Sequence, residues 1–126
     1  MKKIIIIACC LLLSACSTKP YTDEEKQLIV KVEQMIEHLQ QKQYDEIAKE
    51  FSILAKNPQD DIASIIKEGW ESTSAEYGTF LGIDRYIFLH LKSGCEVKVI
   101  VNYEHYKAQF SINFLSNGKI AGFFFK

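Results

Sequence analysis

Histidines at positions 38, 90 and 105, a cysteine at 95 and a scatter of acids and tyrosines are the residues of the polar region that could do chemistry. A metal site needs several such ligands to converge on one point. His38, His90 and His105 fall instead on a helical stretch, a strand and a loop. His90 and Cys95 flank one hairpin turn, yet neither turn register expected there sets them opposite each other. No metal and no cofactor is expected. Cys95 opens a strand face continued by Val97, Val99 and Val101, so it reads as a small buried hydrophobe. A nucleophilic thiol would need a base, and none is identifiable. Asp84, Glu96, Glu104, Tyr86 and Tyr103 suit proton transfer by type alone. Glu96 and Glu104 sit on the polar side of their strand, where water keeps a carboxylate ionised. Ser72-Thr73-Ser74 lacks the glycines of a nucleophile elbow, and no glycine-rich loop could cradle a phosphate. A catalytic residue is not expected.

Cys16 is the cysteine whose surroundings define a chemistry. Lys2 and Lys3 precede an unbroken apolar run over residues 4–13, and small residues follow. That is the plan of a secretory signal peptide. The run is well short of the roughly 20 residues that span a hydrocarbon core. Leu13-Ser14-Ala15-Cys16 resembles a bacterial lipobox. The resemblance implies cleavage before Cys16 and acylation of the new terminus, with a diacylglyceryl group on sulfur and palmitate among the chains. Two or more chains anchor stably where one holds only marginally. Ser17 differs from the aspartate that retains lipoproteins inside, so in a cell with two membranes the resemblance points to the outer one. With Cys9 and Cys10 in the discarded run and Cys16 lipidated, Cys95 remains alone, and no internal disulfide is expected.

The expected division is therefore 1–15 signal peptide, 16–21 lipidated tether and 22–126 a single domain. Five extended residues after Cys16 reach at most about 18 Å, which keeps the domain close to the membrane. The formal net charge of the 126-residue chain is −1, and Arg85 is its single arginine. No basic cluster offers the counterion release that drives nucleic-acid binding, so no nucleic-acid partner is expected.

Thr22 to Glu25 read as a capping box. Leu28, Val32, Met35 and Leu39, flanked by Ile29 and Ile36, form one apolar stripe on a helix of about five turns. Tyr44, Ile47, Ala48, Phe51 and Leu54 predict a second helix over 45–56. Asn57-Pro58 would end it and cap a third, with Ile62, Ile65, Ile66 and Trp70 on its buried side. The polar, serine-rich stretch 71–78 is expected to be a loop. The period then changes from 3.6 to 2. Strands are expected over 79–83, 86–91, 95–103, 108–114 and 120–125, with turns at Lys92-Ser93-Gly94 and Asn117-Gly118. Helices followed by an antiparallel meander predict an α+β domain, its N-terminal helices packed on a curved sheet of four to five strands.

Tyr44-Asp45, Phe51, and Trp70 followed by Glu76-Tyr77-Gly78-Thr79-Phe80 carry a wider resemblance. Phe110, Phe114 and the stretch from Asn117 through Lys119 and Ile120 to Ala121-Gly122 extend it. The region is similar to the uncharacterised domains on the nuclear-transport-factor-2-like (cystatin-like) scaffold, found in lipoproteins and ahead of secreted serine hydrolases. The resemblance implies a cone-shaped fold and no established reaction.

Apolar residues on both faces of the predicted sheet are the remaining signal. Tyr86 and Phe88 alternate with Ile87 and Leu89, and Phe123-Phe124-Phe125 cannot put all three rings on one side. Phe123, Phe125, Ile87 and Leu89 are the expected interaction face, to be covered by a second copy of the chain or by an envelope protein. The alternatives are a curved cavity closed by the helices, and a strongly bent sheet in which helices reach both sides. The expected function is a membrane-anchored module that binds a ligand or partner protein at the cell envelope. The alternatives are a small enzyme using a cavity of the scaffold, and an exclusion or immunity lipoprotein.

Overall fold

A computed structural model describes residues 20–52 and 61–126. Cys16 and the signal peptide lie outside the described residues, as do Leu54, Asn57 and Pro58. Three helices precede four strands: α1 Asp23–Gln40, α2 Tyr44–Ala48, α3 Ile62–Tyr77, then β1 Phe80–Leu91, β2 Gly94–Tyr103, β3 Lys107–Leu115 and β4 Ile120–Phe125. The strands form one antiparallel sheet in the order β1-β2-β3-β4, which does not close.

Helix α1 starts where its cap dictates. The Glu25 amide donates to the Thr22 hydroxyl at 3.1 Å, and the Thr22 amide donates to the Glu25 carboxylate at 2.9 Å. Two helix-end donors are thereby satisfied reciprocally. Leu28, Val32, Met35, Ile36 and Leu39 are buried along one side of the helix. Removing the cap hydroxyl with Thr22→Ala should cost about 1 kcal/mol, read as a lower urea midpoint at unchanged slope.

The second and third helices depart from expectation. Helix α2 is short, because Phe51 leaves the helix to make a parallel bridge with Ile120. The Ser52 amide donates to the Ile120 carbonyl, and the Ile120 amide to that of Glu50. Those bonds satisfy part of the β4 edge, which a helix through Phe51 would leave open. Helix α3 begins after Asp61, whose carboxylate accepts from the Ser64 amide. It runs on through the serine-rich stretch read as a loop. Trp70 and Tyr77 stand two turns apart on one face, and both meet the Tyr103 ring. Packing of that face outweighs the weak helix preference of Ser72, Thr73 and Ser74. Gly78, at φ 92°, ends the helix. Ile65 turns away from the core and is exposed.

The expected strand over 79–83 is the first part of β1, joined to the rest through irregularities at Leu81 and Asp84. That leaves four strands, not five. On the helix side, Cys95, Val97, Val99, Val101 and Tyr103 of β2 pack with Ala108, Phe110, Ile112 and Phe114 of β3. The helices cover this side, and Trp70, Phe80, Tyr103 and Phe110 fill its centre ring against ring.

Candidate functional site

Strand alternation sorts the residues expected to share an interaction face onto two different faces. Phe123 lies opposite Ile112 and Phe125 opposite Phe110, on the helix side. Both rings pack on Phe110, at 6.0 and 5.1 Å between centroids. Ile87 and Leu89 lie opposite Lys98 and Glu96, on the outer side. The ring that belongs with them is Phe124, opposite Ser111 and 52% exposed. Phe123 and Phe125 are thus supports of the core rim. Ile87, Leu89, Leu91 and Phe124 form the apolar part of the outer face, with Ile87 and Leu89 39% and 41% exposed.

Leu91 and Phe124 border an open depression of about 500 Å³, lined also by Glu96, Ser111, Asn113 and Lys126. Ser111 is buried at its floor and accepts from the Gln109 side chain at 3.2 Å. A Cβ at Gly122 would stand 3.0 Å from the edge of the Phe124 ring, so the ring lies close along its own strand. The surface combines an anion, a cation, an amide and a hydroxyl with exposed apolar side chains. That is a composition suited to recognition by area and a few directed hydrogen bonds.

The titratable candidates do not converge. Asp84 accepts from Lys107 at 3.3 Å at the sheet margin. Glu96 lines the outer depression. Glu104 accepts from the Thr79 amide at 2.8 Å and is held below the ordinary carboxylate value by its hydrogen bonds with that residue. Tyr86 lies half-buried on the helix side, its phenol pushed up to about 12 by burial, with Glu33 adding to the shift. Burial also takes Tyr103 to about 12, offset in part by the Ser74 hydroxyl beside it. No hydrogen bond of ordinary geometry satisfies the Tyr103 hydroxyl. His38 pairs with Gln43 at 2.8 Å, while His105 sits in the β2–β3 turn.

One juxtaposition escaped the reading by sequence. The β1–β2 turn is two residues, Lys92 and Ser93, and closes on the pair Leu91 and Gly94, so His90 stands directly opposite Cys95. His90 Nε2 is 2.8 Å from Glu25 Oε2. Cysteine, histidine and glutamate therefore come together across three elements. The thiol is nevertheless 3% exposed, and burial, reinforced by Glu24 and Glu25, pushes its pKa up. Its hydrogen goes to the Glu96 carbonyl at 3.7 Å and not to the imidazole. The chemistry of the arrangement is that of a tie between α1 and β1. Among the described residues, no group of three or more His, Cys, Asp or Glu could hold a metal ion.

The tie makes a prediction about pH. The Thr22 amide, then the His90 side chain, hold the Glu25 carboxyl below its ordinary value of 4.5. A carboxyl lowered in the folded state stabilises the fold fully above its unfolded value, and the contribution is lost as pH falls through the folded value. Urea midpoints should therefore fall as pH is taken from 6 towards 3, and Glu25→Gln should flatten the profile in that acidic range. An unchanged slope in the variant would show that Glu25 carries none of the acid sensitivity.

Comparison of the chain with protein-family models, with curated proteins and with solved structures gives no match. The class defined here is an α+β domain of helices followed by an open four-stranded antiparallel sheet, with one sheet face bare among the described residues. No helix among those residues is long and apolar enough to cross a membrane.

Proposed function

We propose that the chain is a lipid-anchored module that binds a ligand or partner protein at the cell envelope through the outer face of its sheet. Cys16 is the anchor, and the nuclear-transport-factor-2-like scaffold is the fold to which the domain is assigned in this reading. The observation that carries the binding role is the outer face itself. Ile87, Leu89, Leu91 and Phe124 stay exposed on it, and Leu91 and Phe124 line a depression with Glu96, Asn113 and Lys126. Each such ring or branched chain covered by a partner is worth on the order of 2 kcal/mol. The interior offers less, because aromatic rings fill the space between helices and sheet.

Two measurements test the proposal. Metabolic labelling with a tagged fatty acid is expected to mark the full chain and to be lost in Cys16→Ala; equal labelling of both would remove the anchor. A photo-reactive residue replacing Phe124 is expected to give a discrete adduct in living cells. The same residue at Lys67, on α3, should give none. Adducts from both positions, or from neither, would count against the outer face as the binding surface.

A further inference from the structure

The edge of β1 has no partner strand among the described residues, whereas the β4 edge is bridged at Ile120. Long open edges invite pairing, and proteins usually blunt them with lysine, proline, bulges or short length. β1 is 12 residues long. Its irregularities all precede Arg85, and 86–91 contains no lysine, proline or carboxylate. None of its twelve residues is fully buried.

The ladder defines which backbone groups are free. The two-residue turn makes Leu91 and Gly94 a hydrogen-bonded pair, and antiparallel pairing then alternates. The register is unbroken from Arg85 to Leu91. Arg85, Ile87, Leu89 and Leu91 thus spend their amides and carbonyls on β2. Tyr86, Phe88 and His90 direct theirs to the open edge. A lipid surface would leave those groups unsatisfied, whereas another strand completes them.

We propose that this edge pairs with the same edge of a second copy, antiparallel, about a two-fold axis through Phe88. That register matches the whole regular segment with itself: Arg85 to Leu91, Tyr86 to His90, Ile87 to Leu89, and Phe88 to Phe88 of the second copy. It also sets Asp84 against Lys92 at each end, adding an opposite charge to the Lys107 contact that Asp84 already has. No like charges meet. A centre at Tyr86 would instead oppose Asp84 to Phe88 and bring the irregular residues into the middle. A centre at His90 would oppose Lys92 to Phe88.

The axis stands perpendicular to the sheet, so both helix layers fall on one side. Tyr21, at the start of the described chain, packs edge-on against Phe88 with 5.6 Å between centroids. The first described residues of both copies therefore lie beside the axis, on the same side. On the reading that Cys16 is lipidated, two copies in one membrane are already oriented to pair, at high effective concentration. The outer strips, Ile87 and Leu89 of each copy, become continuous across the eight-stranded sheet.

Disulfide trapping tests the register directly. Ile87 and Leu89 of the two copies form non-hydrogen-bonded pairs with Cα atoms about 4.5 Å apart, a separation a disulfide spans. Full-length Ile87→Cys and Leu89→Cys chains carrying different tags are expressed together and oxidised in membranes. Both sites are partly exposed, so the fold tolerates the change. The mixed pair is expected to give a disulfide dimer several-fold above either variant alone and above the unsubstituted chain, which reports the background of the native cysteines. A dimer from Ile87→Cys alone, or from Leu89→Cys alone, at equal yield would overturn the Phe88-centred pairing. So would no dimer above background, with Leu89→Cys then labelled by a lipid-phase reagent if the membrane is the occupant. Fatty-acid labelling of the same cells reads the anchor separately.

Discussion

Replacing Phe110 with alanine is expected to cost about 3–5 kcal/mol, a large part of the roughly 5–15 kcal/mol that holds a domain of this size together. Phe110 is 0% exposed, at the centre of the helix-side face of the sheet. Its ring meets Trp70 at 6.2 Å, Phe125 at 5.1 Å and Phe123 at 6.0 Å between centroids. Alanine would remove the hydrophobic contribution of the ring and leave a void bounded by three other large side chains. Those neighbours belong to a helix and to the last strand, so the cavity cannot close without moving both. Equilibrium unfolding in urea should show a markedly lower midpoint, or no cooperative transition. Phe124→Ala is the matched control: its ring is on the outer face, and the substitution should stay within about 0.5 kcal/mol. Equal costs for the two would mean that the facing of β4 is wrong.

Gly94→Ala is expected to be comparably severe for a different reason. A Cβ atom on Gly94 would stand 1.9 Å from the Phe114 carbonyl oxygen and 2.9 Å from the Leu115 Cα. Both are backbone atoms and cannot swing aside as the end of a long side chain can. Gly94 pairs with Leu91 on one side and Leu115 on the other, so the strain falls where β1, β2 and β3 are joined. The expected loss is about 3 kcal/mol, the upper end of ordinary overpacking, accompanied by faster amide exchange along the β2–β3 ladder. Exchange confined to the β1–β2 turn would mean that the turn, and not the approach of β3, sets the requirement for glycine.

Much of the fold was legible because its signals are local. The capping box at Thr22 and Glu25 needs only the first turn of a helix. The stripe Leu28, Val32, Met35 and Leu39 needs only the 3.6-residue period. The alternation of Cys95, Val97, Val99 and Val101 marks one buried strand face without reference to what covers it. Where local and long-range terms disagree, packing prevailed. Ser72, Thr73 and Ser74 stay helical because Trp70 and Tyr77 both need the Tyr103 ring. Phe51 leaves its helix because the Glu50 carbonyl and the Ser52 amide on either side of it bond Ile120 of β4.

The candidate site was legible in kind and not in membership. Successive side chains of a strand point to opposite faces, so the run Phe123-Phe124-Phe125 had to divide two to one, and sequence could say no more. Which face the helices occupy is decided by the registers Phe110 to Phe125 and Ser111 to Phe124, contacts between strands that a linear pattern does not contain. The same holds for His90 and Cys95. Their types were visible, but their position opposite each other depends on a turn of two residues, and a change of one residue there would separate them. Composition and period determine on their own that this chain has helices, then strands, and apolar residues to spare on both sides of a sheet. Only the tertiary structure decides which of those residues hold the core and which face outward, because burial is a property of what lies across the sheet and not of what lies next in the chain.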